Sequence, residues 1–322
     1  MALAPSGSRE NQGVTHLTLV FAGSPAAAIP SLAALDDSRH TVGAVITRAD
    51  SPQGRRGVLT STPVATEAER RGLSVIRADR LAGEVTESVA TLRPDLGVIV
   101  AYGGLVREPL LSTPRLGWIN LHFSLLPRWR GAAPVQRAII AGDDVTGATV
   151  FQLVAELDAG DVYGRVTEPI GAVQTAGHLL ETLSRSGAEL LERVVDAIAD
   201  GSARAEPQRG DVTLAPKLTL EDGRIDFTKP ASVVHDLIRG VTPEPGAFAF
   251  DGETRLKVLD AVIARDSASL RPGAVSQTGG RVLVGTAGEP IELRAVHPAG
   301  RKAMDAASWW RGRAASAPTV LG

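Results

Sequence analysis

A chain of 322 residues with a formal net charge of −2 has room for two domains and too little net charge for wholesale polyanion binding. Its composition, 43% hydrophobic and 22% charged, is that of an ordinary globular protein with a sizeable core. It contains no cysteine, which excludes disulfides, thiolate nucleophiles and Cys-based zinc sites and fits a cytoplasmic setting; no run approaches the roughly 18 apolar residues of a membrane span.

Residues 1–15 are polar and rich in Pro, Gly and Ser. They lack the basic-then-apolar layout of a secretory signal, so they read as a mobile N-terminal extension. HLTLVFAG is then a short β-rich run ending at Gly23, followed by the helix-compatible SPAAAIPSLAALDD. HTVGAVIT (strand), PVATEAERRG (helix), LSVIRA (strand), residues 84–92 (helix), DLGVIVAYG and LGWINLHFS (strands) continue the alternation. Strands alternating with helices predict βαβ units, and near-continuous Val/Ile/Leu runs predict strands buried on both faces. The expected fold of residues 16–201 is therefore α/β, a Rossmann-like and mostly parallel sheet. GATVFQLVAEL and DVYGRVTEPI add two strands, and residues 175–200 carry Leu179, Leu180, Leu183, Leu190, Leu191, Val194, Val195 and Ile198 at helical spacing.

Between residues 202 and 221 the pattern breaks into a polar stretch with two prolines, read as a linker. From residue 222 to 322, GRIDF, AFAFDGETRLKVLDAVIA, GAVSQTGGRVLVGT and PIELRAVHP are short strands with Gly-rich turns, and residues 231–239 suit a helix. That pattern predicts a smaller β-barrel, OB-like domain. The turn FAGSP after the first strand is not GxGxxG, so it supports no dinucleotide site.

The chemistry concentrates in INLHFSLLPRWRGAAPVQRAIIAGDDVTGATVFQLVAELDAGDV, residues 119–162. Asn120 and His122 are two apart on a strand and so share a face. In an open parallel sheet the carboxyl ends of strands border the ligand crevice. Asp158 follows His122 by 36 residues, in an acidic turn that could return to the same crevice. An amide and an imidazole can stabilise an oxyanion, and a carboxylate can orient the imidazole and take up a proton. With no cysteine and no serine in a nucleophile elbow, such a site would align two substrates and form no covalent enzyme intermediate. On spacing alone the bland reading stands beside this one: a strand histidine with its hydrogen bonds met, an asparagine holding a turn, and LDAGD as an ordinary turn. One histidine with Asp158 and Asp161 is thin evidence for a metal, and none is expected.

The same run resembles the signature of the 10-formyltetrahydrofolate-dependent formyltransferases. LVFAGSP, DLGVIVAYGGLV, KLTLEDGRIDF and HPAGRKAM extend the likeness over nearly everything from His16 onward. The longer SLLPRWRGAAPVQ form is similar to the branch whose acceptor is the methionyl α-amino group of initiator tRNA. The resemblance implies a catalytic trio of Asn120, His122 and Asp158, folate contacts at Ser124, Leu125, Leu126 and Pro127, and 10-formyltetrahydrofolate as formyl donor with no metal. It also implies tRNA contacts by Arg55 and Arg56 in a loop after the second strand, and a tRNA-binding second domain to which Arg301 and Lys302 contribute, alongside Arg239, Arg255 and Lys257. A monomer is expected.

Two departures from the family pattern stand out. Gly57 and Val58 occupy positions where lysines are common, which lowers the charge of the loop. Phe123 replaces a frequent glycine, and its side chain is expected on the face opposite His122. Two other readings stay open on these residues: formyl transfer to a small amine, and an inactive RNA- or nucleotide-binding protein.

Overall fold

The computed structural model describes residues 16–53, 57–313 and 320–322; the extension expected at 1–15, and Arg55 and Arg56, lie outside the described residues. The first domain runs β1 (Thr18–Gly23), α1 (Ile29–Asp37), β2 (Thr41–Thr47), a small hairpin of β3 (Ser51–Gln53) and β4 (Val58–Thr60), α2 (Pro63–Arg70) and β5 (Val75–Arg77). It continues with α3 (Glu84–Leu92), β6 (Leu96–Val100), β7 (Trp118–His122), β8 (Arg130–Gly131), α4 (Pro134–Ile140), β9 (Val145–Gln152), β10 (Val162–Pro169) and α5 (Ala176–Ala199).

Seven of these strands form one sheet in the order β10-β9-β7-β6-β1-β2-β5. The five from β7 to β5 are parallel, whereas β9 runs antiparallel to β7 and β10 antiparallel to β9. The order reverses between β1 and β6, so the carboxyl ends of β1, β6 and β7 border the position where open α/β sheets take ligands. Both faces are covered, which is why β6 (LGVIV) is buried at every residue. One core lies under α1 and α5, where Leu179, Leu183, Leu191 and Val195 meet Leu121, Ala148 and Val150. The other packs Val85 and Val89 of α3 against Val20, Ile46, Ile99 and Trp118.

The expected linker is built into the first domain. Val162 and Glu206 exchange backbone hydrogen bonds at 2.8 and 3.0 Å, and a two-residue strand, β11 (Leu214–Ala215), pairs in parallel with β8.

The second domain contains α6 (Ala231–Gly240), β12 (Ala247–Asp251), β13 (Thr254–Ile263), β14 (Val275–Thr278), β15 (Arg281–Val284), β16 (Ile291–Pro298), β17 (Met304–Asp305) and α7 (Ala306–Arg311). Its antiparallel sheet has the order β12-β13-β16-β15-β14, with β17 on β16. Residues 320–322 bridge the two edges: Val320 pairs with Ala274 and Leu321 with Asp251, and Phe250 N–H donates to Gly322 O at 2.7 Å. The curved sheet is thereby a half-barrel whose two edges are tied at single points by the chain end. GRIDF differs from expectation: it is no ladder strand but a single bridge from Arg224 to Phe248, with Ile225 and Phe227 plugged into the core.

Helix α4 joins the domains. It packs on α6, and its Ile140 sits against the second core. Arg239 on α6 is 8% exposed. Its Nε donates to Asp236 Oδ1 at 2.8 Å, and its Nη1 to the carbonyls of Gly171 and Gln174 at 3.2 and 3.3 Å.

Candidate active site

Strand alternation sorts the residues of β7. Ile119, Leu121 and Phe123 enter the core beneath α5, and Trp118 enters the opposite core. Asn120 and His122 therefore share the face away from Phe123, which is 6% exposed and points into the core.

His122 is 6% exposed and Asp158 8%. The His122 Nε2 lies 2.8 Å from Trp129 O. A carbonyl only accepts, so Nε2 carries a proton and in the neutral ring the lone pair is on Nδ1. That Nδ1 is 3.8 Å from Asp158 Oδ2. In the neutral ring two acceptors therefore face each other in a buried place. Asp158 Oδ2 also accepts from Gly131 N–H at 2.8 Å, which fixes the carboxylate. The turn that presents it is close-fitting: Asp158 has φ 46°, and a Cβ at Gly160 would meet Gln152 O at 1.7 Å. Only glycine lets this turn lie on the end of β9.

The loop after β7 is tied internally. Ser124 is fully buried and its Oγ donates to Arg128 O at 2.6 Å. Thr149 Oγ1 donates to Ser124 O at 2.6 Å and accepts from Leu126 N–H at 3.3 Å. Arg165 Nη2 donates to Leu126 O at 3.2 Å. Ser124 thus shapes the turn, whereas Leu125, Leu126 and Pro127 wall a cavity of about 510 Å³. Arg128, Arg209, Gly210, Asp211 and Thr213 complete that wall. Thr213 Oγ1 accepts from Trp129 N–H at 2.9 Å. Half the lining thus comes from the stretch read as a linker, and no periodic pattern announces it.

The remaining basic residues are dispersed. Arg301 and Lys302 are exposed in the turn after β16, and Arg301 O accepts from His297 Nε2 at 2.8 Å. Arg255 Cζ lies over the Phe248 ring, 3.9 Å from its centroid. Arg239 is no surface charge: it is buried, with its Nε on the Asp236 carboxylate and its Nη1 on the carbonyls of Gly171 and Gln174. Among the described residues no group of three or more His, Asp or Glu is arranged to hold a metal ion.

Both domains match known proteins. The formyl transferase model matches residues 17–195, and the formyl transferase C-terminal domain model matches residues 217–314. The chain belongs to the formyl transferase family. Its relatives within that family include the methionyl-tRNA formyltransferase of Leifsonia xyli subsp. xyli, 60% identical over 297 residues that cover 92% of this chain and 97% of that one. The methionyl-tRNA formyltransferase of Clavibacter sepedonicus is 57% identical over 296 residues, again 92% of this chain and 97% of that one. Among solved structures, the N-formyltransferase from Helicobacter canadensis in complex with folinic acid and dTDP-3-aminofucose superposes with a TM-score of 0.66 at 16% identity. That match covers 86% of this chain and 98% of the other, and at such identity it speaks for the formyl transferase fold alone.

Proposed function

We infer that this chain transfers the formyl group of 10-formyltetrahydrofolate to the α-amino group of methionyl initiator tRNA. The observation that carries the reading is the buried confrontation of His122 Nδ1 with Asp158 Oδ2 at 3.8 Å, on the Asn120 face of β7, in a chain 60% identical to a methionyl-tRNA formyltransferase over nearly its whole length. Leu125, Leu126 and Pro127 offer the donor an apolar wall, and the Ser124 turn holds that wall in shape.

The amine attacks the formyl carbon, and the carbonyl π electrons move to oxygen. The Asn120 amide N–H donates to that oxyanion; a preorganised donor of this kind is worth about 10²–10³ in rate. His122 Nδ1 takes the proton lost by the attacking nitrogen, and the Asp158 carboxylate stabilises the resulting imidazolium. Collapse re-forms the C=O bond, the bond to N10 breaks, and N10 receives the proton from His122. No covalent enzyme intermediate is needed.

Residues 16–201 carry the chemistry, and residues 222–322 bind the tRNA body. Arg55 and Arg56 contact a phosphate or the terminal base of the tRNA, and Arg301 and Lys302 contribute to binding its body. The chain works in the cytoplasm as a monomer. Radiolabelled formyl from 10-formyltetrahydrofolate, offered to charged initiator tRNA and to free methionine or an amino sugar nucleotide, tests the reading. Label must appear on the tRNA; label on the small amines alone defeats it.

A further inference from the structure

The segment joining the domains holds the carboxylate turn of the site through one side chain. Gln208 Nε2 donates to Asp158 O at 2.7 Å and to Gly160 O at 2.9 Å. Its Oε1 accepts from Arg130 Nη2 at 2.7 Å and Nε at 3.2 Å. The guanidinium only donates and the two carbonyls only accept, so the amide fits one way round. Arg130 itself is nearly buried, its side chain 11% exposed, with Nη1 on Glu156 Oε1 at 3.2 Å.

Three further observations converge on the same turn. Asp158 sits at φ 46°, a left-handed conformation that an aspartate adopts at some cost and that neighbours must hold. The donor to its carboxylate, Gly131 N–H, belongs to β8, which pairs with β11 from the same joining segment. Glu206 is bonded through its backbone to Val162, just beyond the turn. The stretch from Glu206 to Ala215 thus grips both the backbone of Asp158 and the strand that orients its carboxylate.

We propose that Gln208 is a positioning residue for Asp158, setting where the carboxylate stands against His122 Nδ1, and that the joining segment is thereby part of the catalytic apparatus. The proposal rests on the reading of His122 and Asp158 given above. Gln208 touches neither reactant: its amide is spent on Arg130 and the two carbonyls. Its contribution should therefore appear in turnover and not in substrate binding.

The decisive variant is Gln208→Glu. It is nearly isosteric and keeps the acceptor for Arg130, but it replaces two donated hydrogen bonds with carboxylate oxygens against carbonyl oxygens. Single-turnover formylation of charged initiator tRNA and thermal melting are measured on the full chain, for Gln208→Glu, Asp158→Asn and the double variant. The expected result is a fall in the formylation rate of about 10- to 100-fold, the scale set by ångström misplacement of a catalytic group. KM for tRNA and for the formyl donor should stay within about twofold of the parent, since no binding contact is removed. In the Asp158→Asn background Gln208→Glu should cost little more, because the group it positions is already gone. An equal fold-loss in both backgrounds, or a rise in KM at unchanged rate, overturns the proposal. A full rate from Asp158→Asn alone overturns the site reading and this inference with it. Loss by Asp158→Asn beside a parent-like Gln208→Glu overturns only the role of Gln208. Gln208→Ala, which removes the repulsion as well as the bonds, should fall in rate without the added cost of like groups facing; full activity there also overturns the proposal.

Discussion

His122 Nδ1 faces Asp158 Oδ2 at 3.8 Å while the other ring nitrogen is held on Trp129 O. In the neutral ring the lone pair is therefore on the nitrogen nearer the carboxylate.

Removing either partner should disable the chemistry and spare the fold. Proton transfer by a positioned group is worth about 10²–10⁴ in rate, so His122→Ala and Asp158→Asn should lower kcat by that order. Affinity for tRNA should be unchanged, because both groups are buried and offer the RNA no exposed charge. Filter binding and formylation measured on the same preparations check this. Parent-like turnover in either variant would remove the pair from the mechanism.

How much of this was legible in the sequence follows from what kind of contact holds each part. The parallel sheet was readable because strands buried on both faces must be apolar along their length, as in LGVIV of β6. The shared face of Asn120 and His122 followed from alternation, as did Phe123 on the other side. Helix α4 left a weak trace: seven residues give too short a period, and its buried positions are Pro134, Val135, Ala138 and Ile139. The stretch from Glu206 to Ala215 left none. Gln208 and Thr213 act through polar atoms on partners 50 and 84 residues away, and such contacts impose no apolar rhythm on the chain. Arg239 misleads for a related reason. An arginine near the end of a helix reads as solvated, and only the tertiary fold brings the carbonyls of Gly171 and Gln174 to it.

The burial of Arg239 makes a stability prediction. Arg239→Ala leaves Asp236 without its 2.8 Å partner and two carbonyls without donors at the junction of the domains. Breaking a buried pair by removing one member costs about 3–5 kcal/mol. Urea denaturation should show a midpoint lowered accordingly. A change below about 0.5 kcal/mol, the range of ordinary surface substitutions, would mean that the pair is not holding the junction.

His40 gives a pH dependence with a definite sign. Its side chain is fully buried; Nδ1 accepts from Leu17 N–H at 3.2 Å and Nε2 lies 3.2 Å from Asp196 Oδ1. Burial lowers its pKa below the ordinary histidine value, Arg39 and His16 act in the same direction, and Asp196 opposes them. A lowered histidine pKa means that the unfolded chain binds the proton more tightly. The stabilisation is therefore complete above the unfolded value of about 6.5 and is lost as pH falls through it towards the folded value. His235 is lowered in the same way, first by burial and then by Arg239. Melting temperature should drop between pH 7.5 and 5.5, and His40→Gln should shrink that drop, since glutamine can accept from Leu17 without titrating. An identical drop in parent and variant would assign the pH dependence elsewhere.

Arg301 and Lys302 stand exposed together in the turn after β16, where each would neutralise a phosphate. Arg301→Ala should weaken tRNA binding and reduce the slope of log K against log salt by about 1. Binding of the formyl donor should not change. A loss of tRNA affinity that is independent of salt would argue for a shape effect on the turn instead of a phosphate contact.

Thr149 separates the shaping of the proposed donor pocket from the chemistry. Its side chain is fully buried on β9 and bonds Ser124 O and Leu126 N–H at once. Thr149→Val keeps the volume and strands a carbonyl and an amide, each unmade bond costing about 1–3 kcal/mol in a buried setting. The loop can escape that cost only by moving, and moving shifts Leu125, Leu126 and Pro127, which wall the cavity. KM for 10-formyltetrahydrofolate should therefore rise several-fold, while KM for tRNA holds and kcat at saturating donor changes less than it does for Asp158→Asn. Steady-state kinetics with each substrate varied in turn distinguishes these. A fall in kcat with donor KM unchanged would show that the loop serves the His122 side of the site and not the donor pocket.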